Sequence, residues 1–111
     1  MLHPFRVTHT LRTLDEQLHL YAKGRKQTPD GWVVVDKKLI VTKAKPGSSP
    51  HNYGAAFDIC FAGPNPYPDD DALWLAVGEV GEMVGLAWGG RWVRFLDRPH
   101  FERPDWRVLR A

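Results

Sequence analysis

Residues 54–61, Gly-Ala-Ala-Phe-Asp-Ile-Cys-Phe, constrain the fold more than any other stretch. Side chains alternate between the two faces of a strand, so Ala55, Phe57, Ile59 and Phe61 share one face and Gly54, Ala56, Asp58 and Cys60 the other. The first face is bulky and has to be covered by other elements. The second carries very small side chains and one carboxylate, which leaves space in front of Asp58, as in the floor of a cleft. A mid-strand carboxylate among apolar neighbours is costly to bury unpaired, so Asp58 calls for either an arginine partner or a metal ion.

The remaining elements follow from local pattern. Residues 4–10 alternate Phe5, Val7 and His9 against Arg6 and Thr8 and predict a short strand, with Arg12 just beyond it. Thr13 and Glu16 have capping-box spacing, and Leu14, Leu18, Tyr21 and Ala22 recur at helical intervals, which predicts a helix over 14–23 stopped by Gly24. The runs 32–35 and 39–42 flank Asp36-Lys37-Lys38 and predict a hairpin. Residues 44–50 form a loop that delivers His51, and 62–71, with Pro64, Pro66 and Pro68, exclude regular structure and suggest a rim or lid. Asp69, Asp70 and Asp71 cap a second helix whose expected buried stripe is Leu73, Trp74, Val77, Val80, Met83 and Val84, ending at Gly85. Residues 99–102 read as a closing strand with Phe101 inward and His100 on the opposite face.

At 111 residues the chain is expected to be one domain with one core. Five Trp, five Phe and three Tyr belong to a packed domain and not to a disordered tail. The net charge of +2 without a Lys/Arg run gives no nucleic-acid groove, although it helps approach to an anionic polymer such as a cell wall. Cys60 is the single cysteine, which excludes an internal disulfide and a multi-thiolate zinc site; as a residue it reads as a small buried hydrophobe. No run suits membrane insertion, and the N-terminal residues lack the apolar core and cleavage site of a signal peptide, so synthesis in the cytoplasm is expected.

The chemistry lies in two separated segments. His51 and Asp58 stand seven positions apart across a glycine-bearing bend, and Asp97 and His100 arrive much later. Two neutral imidazoles and one carboxylate form a common catalytic zinc set that leaves a fourth position for water, whose pKa falls from about 15.7 to roughly 7. His51, Asp58 and His100 fit the ligand roles and Asp97 fits a general base. Three positions apart, Asp97 and His100 point to opposite faces of a straight strand, so a bend between them is required if both face the cleft. Each residue has a plainer alternative: Asp97 starts a turn or pairs with Arg94 or Arg98, and Glu102 is a rim charge or a partner for a ligand imidazole. Arg12 is a surface arginine or a contact for a substrate carboxylate or oxyanion. Trp88, Trp92 and Phe95 are core or cleft, Tyr53 is expected in the cleft, and His3, His9 and His19 are read as inert surface histidines.

Ser49-x-His51-x-x-Gly54-x-Ala56-x-Asp58 resembles a signature of the zinc peptidases that include D-Ala-D-Ala carboxypeptidases, vancomycin-resistance dipeptidases and L-alanoyl-D-glutamate endopeptidases of phage endolysins. Trp88-Gly89-Gly90 followed by Asp97-x-Pro99-His100-Phe101 is similar to that family's second signature, particularly its endolysin branch, and Arg12 to Gln17 to its Arg-x-x-x-x-Gln segment. These matches span roughly residues 5–102. The resemblance implies a small α+β domain of the Hedgehog/DD-peptidase type, with a central antiparallel sheet, two main helices packed on one side and the metal site on the other face. It implies one zinc held by His51, Asp58 and His100, Asp97 as catalytic base, Arg12 as substrate or transition-state contact, and Ser49 near the substrate; Tyr53 and Trp88 are expected as further substrate contacts and Glu102 as a partner behind a ligand. The expected activity is hydrolysis of a peptide bond in the peptidoglycan stem peptide by a monomer at the bacterial cell wall, with the L-alanyl-D-glutamate bond first and D-Ala-D-Ala carboxypeptidase second. An inactive wall-peptide-binding module is the reading of a different class.

Overall fold

The structure is a computed structural model that describes residues 5–110. It is α+β. Strands β1 (Phe5–His9), β4 (Ala56–Phe61), β5 (Ala87–Trp88) and β6 (His100–Glu102) make one antiparallel sheet in the order β1-β4-β6-β5, while β2 (Arg25–Thr28) and β3 (Gly31–Val34) form a separate hairpin. The two α-helices among the described residues are α1 (Leu14–Ala22) and α2 (Asp71–Met83). None of the helices is long and apolar enough to cross a membrane.

The alternation along β4 is realised. Ile59 and Phe61 are buried in one cluster with Trp74 and Val77 of α2, Trp88 of β5 and Phe101 of β6, and Phe57 packs against it. Phe57 and Phe101 are cross-strand partners whose rings stack at 5.3 Å, and Phe61 meets Trp74 edge-on at 4.8 Å. The opposite face presents Asp58, directly across from His100. One sheet therefore separates an apolar layer from a polar site, and α2 covers the apolar layer.

Glycine explains how α2 packs. A Cβ on Gly78 would lie 2.2 Å from the Trp88 ring and one on Gly81 2.5 Å from Phe101, so the helix approaches the sheet through two bare backbone positions. The expected stripe is corrected accordingly. Trp74 and Val77 are buried with Gly78 and Gly81, whereas Val80, Met83 and Val84 are exposed, Met83 at 85%. In α1 both capping-box bonds form between Thr13 and Glu16, but the buried residues are Gln17 and Tyr21 while Leu14 and Leu18 face outward. That helix leans on the hairpin, where Tyr21 meets Trp32 edge-on at 5.6 Å and the Arg25 guanidinium lies 3.9 Å from the Tyr21 ring centre.

The hairpin is displaced from the expected one. It pairs residues 25–28 with 31–34 around Pro29-Asp30, because Thr28 and Gly31 make the tight turn: Thr28 Oγ1 donates to the Gly31 carbonyl and accepts from Asp30 N, and Gly31 takes φ +118°. Asp36 instead caps a 3₁₀ turn over Lys37–Leu39 through a bond from Lys38 N, and residues 40–45 carry no strand.

Candidate metal centre and cleft

His51 is delivered by a 3₁₀ turn, Pro50–Tyr53, whose start and stop are both written in the sequence. Ser49 caps it, its Oγ accepting from His51 N at 3.3 Å, and Gly54 ends it at φ +65°, a left-handed conformation that favours glycine. Asn52 knits the loop together: its Oδ1 accepts from Gly47 N and Ser49 N, and its Nδ2 donates to the Arg12 carbonyl. Arg12 N donates in turn to the His51 carbonyl at 2.8 Å. Arginine and histidine are thereby fixed to each other although they come from different loops.

Asp58 and His100 need no loop, because strand register places them opposite each other. Asp58 Oδ1 lies 3.0 Å from His100 Nδ1 and 3.4 Å from His51 Nε2. One ligand atom from each of the three residues lies within 4.8 Å of the others, a spacing suited to a shared metal ion. The outer nitrogens are engaged: His51 Nδ1–H donates to the Thr10 carbonyl at 2.8 Å, and His100 Nε2–H donates to Glu102 Oε1 at 2.7 Å. The inward nitrogens are thus oriented by partners of the kind that fix metal-bound imidazoles.

The electrostatics suit a cation. Burial pushes the Asp58 carboxyl upward, but bonds from His100 and His51 outweigh it and hold the group well below the usual carboxylate range. Burial pulls the His100 imidazole down, yet Asp58 and Glu102 overcome that and raise it to about 9. Asp97 is raised, first by burial and then by the neighbouring Asp58 charge, with His100 and His51 opposing. Three carboxylates around two imidazoles hold more negative charge than the imidazoles balance, and a divalent ion would offset it. Arg98, a suggested partner of Asp97, pairs instead with Asp71 and Asp69, and among the described residues Asp58 has no arginine or lysine partner.

Asp97 reaches the site by the required bend. His100 N donates to the Asp97 carbonyl at 3.1 Å across a turn over residues 98–99, and Asp97 N donates to Gly89 O at 3.1 Å. A Cβ on Gly89 would lie 2.2 Å from the Asp97 carbonyl oxygen, so this close approach requires glycine. Arg12, Ser49, His51, Asp58, Asp97 and His100 all line one cleft of about 310 Å³. Gln17, fully buried, accepts from Arg12 Nη1 at 2.9 Å and donates to the Ala44 carbonyl at 2.7 Å, holding the guanidinium in that cleft.

Two expected substrate contacts are placed elsewhere. Trp88 is 5% exposed in the core, its ring over Gly78 and its Nε1–H donated to the Arg98 carbonyl; it anchors the segment before Asp97 and lines no part of the cleft. Tyr53 turns away to donate to the Gly47 carbonyl at 2.6 Å and to stack on Trp106 at 6.2 Å. His9 moves the other way. A bulge at Thr8 puts His9 opposite Asp58, with Nδ1 3.6 Å from Oδ2, at the exposed mouth of the cleft. His19 bonds the Asp15 carbonyl within its own helix, Cys60 is buried, and His3 lies outside the described residues.

The model of the D-alanyl-D-alanine carboxypeptidase family of M15 peptidases matches residues 42–103, which include His51, Asp58, Asp97 and His100. The chain belongs to this family. Its members are metallo-enzymes, and among the described residues His51, Asp58 and His100 form a group that could hold a metal ion. The chain is 35% identical to the peptidoglycan L-alanyl-D-glutamate endopeptidase CwlK of Bacillus subtilis over 106 residues, which cover 86% of the chain but 58% of that relative's length. Its fold is similar to that of the Serratia marcescens L-Ala D-Glu endopeptidase ChiX in a crystal structure, with a TM-score of 0.59 at 24% identity over 99% of this chain and 73% of that one.

Proposed function

We propose that this domain is a zinc-dependent peptidase that hydrolyses the L-alanyl-D-glutamate bond of the peptidoglycan stem peptide, acting as a monomer at the bacterial cell wall. One observation carries the metallopeptidase reading: strand register sets Asp58 against His100, and the capped turn before β4 brings His51 Nε2 to the same carboxylate oxygen. His51, Asp58 and His100 would hold the zinc. Bound there, zinc supplies Lewis-acid polarisation of a substrate carbonyl and acidifies water.

The chain's own residues do the rest. Asp97, with its carboxyl raised by burial, takes a proton from the attacking water and delivers it to the departing amine. Arg12, steadied by Gln17, donates to the carbonyl oxygen as it gains charge. Glu102 and the Thr10 carbonyl keep the two imidazoles turned inward. Ser49 lies at the cleft wall where substrate passes.

The choice of bond rests on the likeness to CwlK, and a second groove that shares Val41, Thr42 and Asp97 with the cleft gives room for peptide beyond Asp97. The family model's own description favours D-Ala-D-Ala carboxypeptidase as the second reading. Digestion of purified peptidoglycan, followed by mass spectrometry of the new ends, separates them. A new D-Glu amino terminus is the expected result, released D-Ala supports the carboxypeptidase, and no product with zinc-loaded protein leaves a binding module.

A further inference from the structure

The cleft does not end at the metal centre. Val41, Thr42 and Asp97 line it and also line a second groove of about 700 Å³, in the size range of small-ligand sites. Trp92, Phe95 and Trp106 contribute aromatic wall to this groove, and its two cations lie over aromatic rings. Lys43 Nζ is 4.1 Å from the Phe95 ring centre, and the Arg107 guanidinium carbon is 4.6 Å from that of Trp106. Among the described residues neither Lys43 nor Arg107 has a carboxylate within ion-pairing distance. Of the groove's own carboxylates, Glu102 is bonded to His100 Nε2, and Asp97 stands where the groove meets the cleft. Phe95 adopts a left-handed backbone at φ +56°, an uncommon conformation for an aromatic residue, and the residue is 65% exposed.

Resting on the peptidase reading, we infer that this groove binds the amine-side half of the substrate and selects a γ-linked glutamyl residue through its free α-carboxylate, held by Lys43 and Arg107. Asp97 decides the side. The group that protonates the departing amine has to face it, and Asp97 stands where the cleft opens into the groove. A γ-linked glutamyl residue immediately after the scissile bond carries a carboxylate that an ordinary α-linked residue lacks. The aromatic wall takes the aliphatic part of the peptide, and the two cations supply charge-assisted bonds to the acid.

The test uses the zinc-loaded protein and γ-D-glutamyl-L-lysine with its glutamyl α-carboxylate either free or amidated, with binding measured by calorimetry. The free acid is expected to bind on the order of fivefold to tenfold more tightly than the amide, the scale of one or two partly exposed ion pairs. K43M/R107M is expected to abolish that difference with zinc content and circular dichroism unchanged, and K43R/R107K to keep it. Equal binding of acid and amide by the wild-type protein, no binding of either, or discrimination surviving in K43M/R107M overturns the inference. The peptidase reading fails separately: an L-alanyl-γ-D-glutamyl-L-lysine peptide that binds with acid-over-amide preference but is never cleaved sinks the peptidase and leaves the groove.

Discussion

At Asp97 the chain holds a half-buried carboxylate whose raised pKa suits proton transfer and which is not one of the three converging residues. Asp97→Asn is therefore expected to retain zinc while losing about 10²- to 10⁴-fold in hydrolysis, the usual share of a general base; turnover and metal content measured on one preparation check it, and unchanged turnover refutes the role. Removing Arg12 should cost on the order of 10² to 10³ in kcat, whereas a rise in KM alone would make it a binding residue. His100 sets a pH dependence for the metal-free protein. Its imidazole is raised from 6.5 to about 9 in the folded state, so its contribution to stability is full below pH 6.5 and is lost as pH rises through about 9. Metal ligation needs the neutral ring, so zinc uptake at pH 7 should release close to one proton, read as a difference in calorimetric enthalpy between buffers of unequal ionisation heat. The residues of this site were legible in sequence because the motifs fix them one by one. His9 was not, since its approach to Asp58 depends on a bulge at Thr8 that no local pattern announces; Gln17 stands in the Arg-x-x-x-x-Gln segment, but its burial and its bond to Arg12 appear only in the fold.

Among the elements, β4 was the most readable, because bulky residues on one face and Ala56, Asp58 and Cys60 on the other permit a single orientation. The second helix was readable as a helix but not in its packing. Hydropathy favours Val80, Met83 and Val84, yet the contact is made through Gly78 and Gly81, which carry no apolar signal and succeed because they lack side chains. Gly78→Ala, pressing a methyl into the Trp88 ring, should destabilise the fold by about 1–3 kcal/mol in urea unfolding, while Met83→Ala at an 85% exposed position should stay within about 0.5 kcal/mol. Equal effects would contradict the packing described. Thr28-Pro-Asp-Gly31 is legible as a turn by composition, but the two β-rich runs around the charged triplet point to a hairpin after it; the pairing instead closes on Thr28 and Gly31, which have the stronger geometry, with a side-chain bond and a left-handed glycine.

Across the whole molecule, α2 and the sheet form a frame whose apolar layer leaves one polar face for the site. Trp88 belongs to this frame, and its burial carries the polypeptide to Gly89 and on to the turn that presents Asp97. The antiparallel α+β plan followed from the alternating strand and the two capped helices, but the hydrogen bonds joining Arg12, His51 and Asn52 are long-range and appear only once the chain is folded. The central claim is that His51, Asp58 and His100 share one zinc on which peptide hydrolysis depends. Zinc content and peptidoglycan hydrolysis measured together on the protein as purified, after chelation and after zinc is restored, test it most directly. One zinc per chain, hydrolysis lost on chelation and regained with zinc, and both absent in Asp58→Ala are the predicted results; hydrolysis that persists in the zinc-free protein would contradict the account.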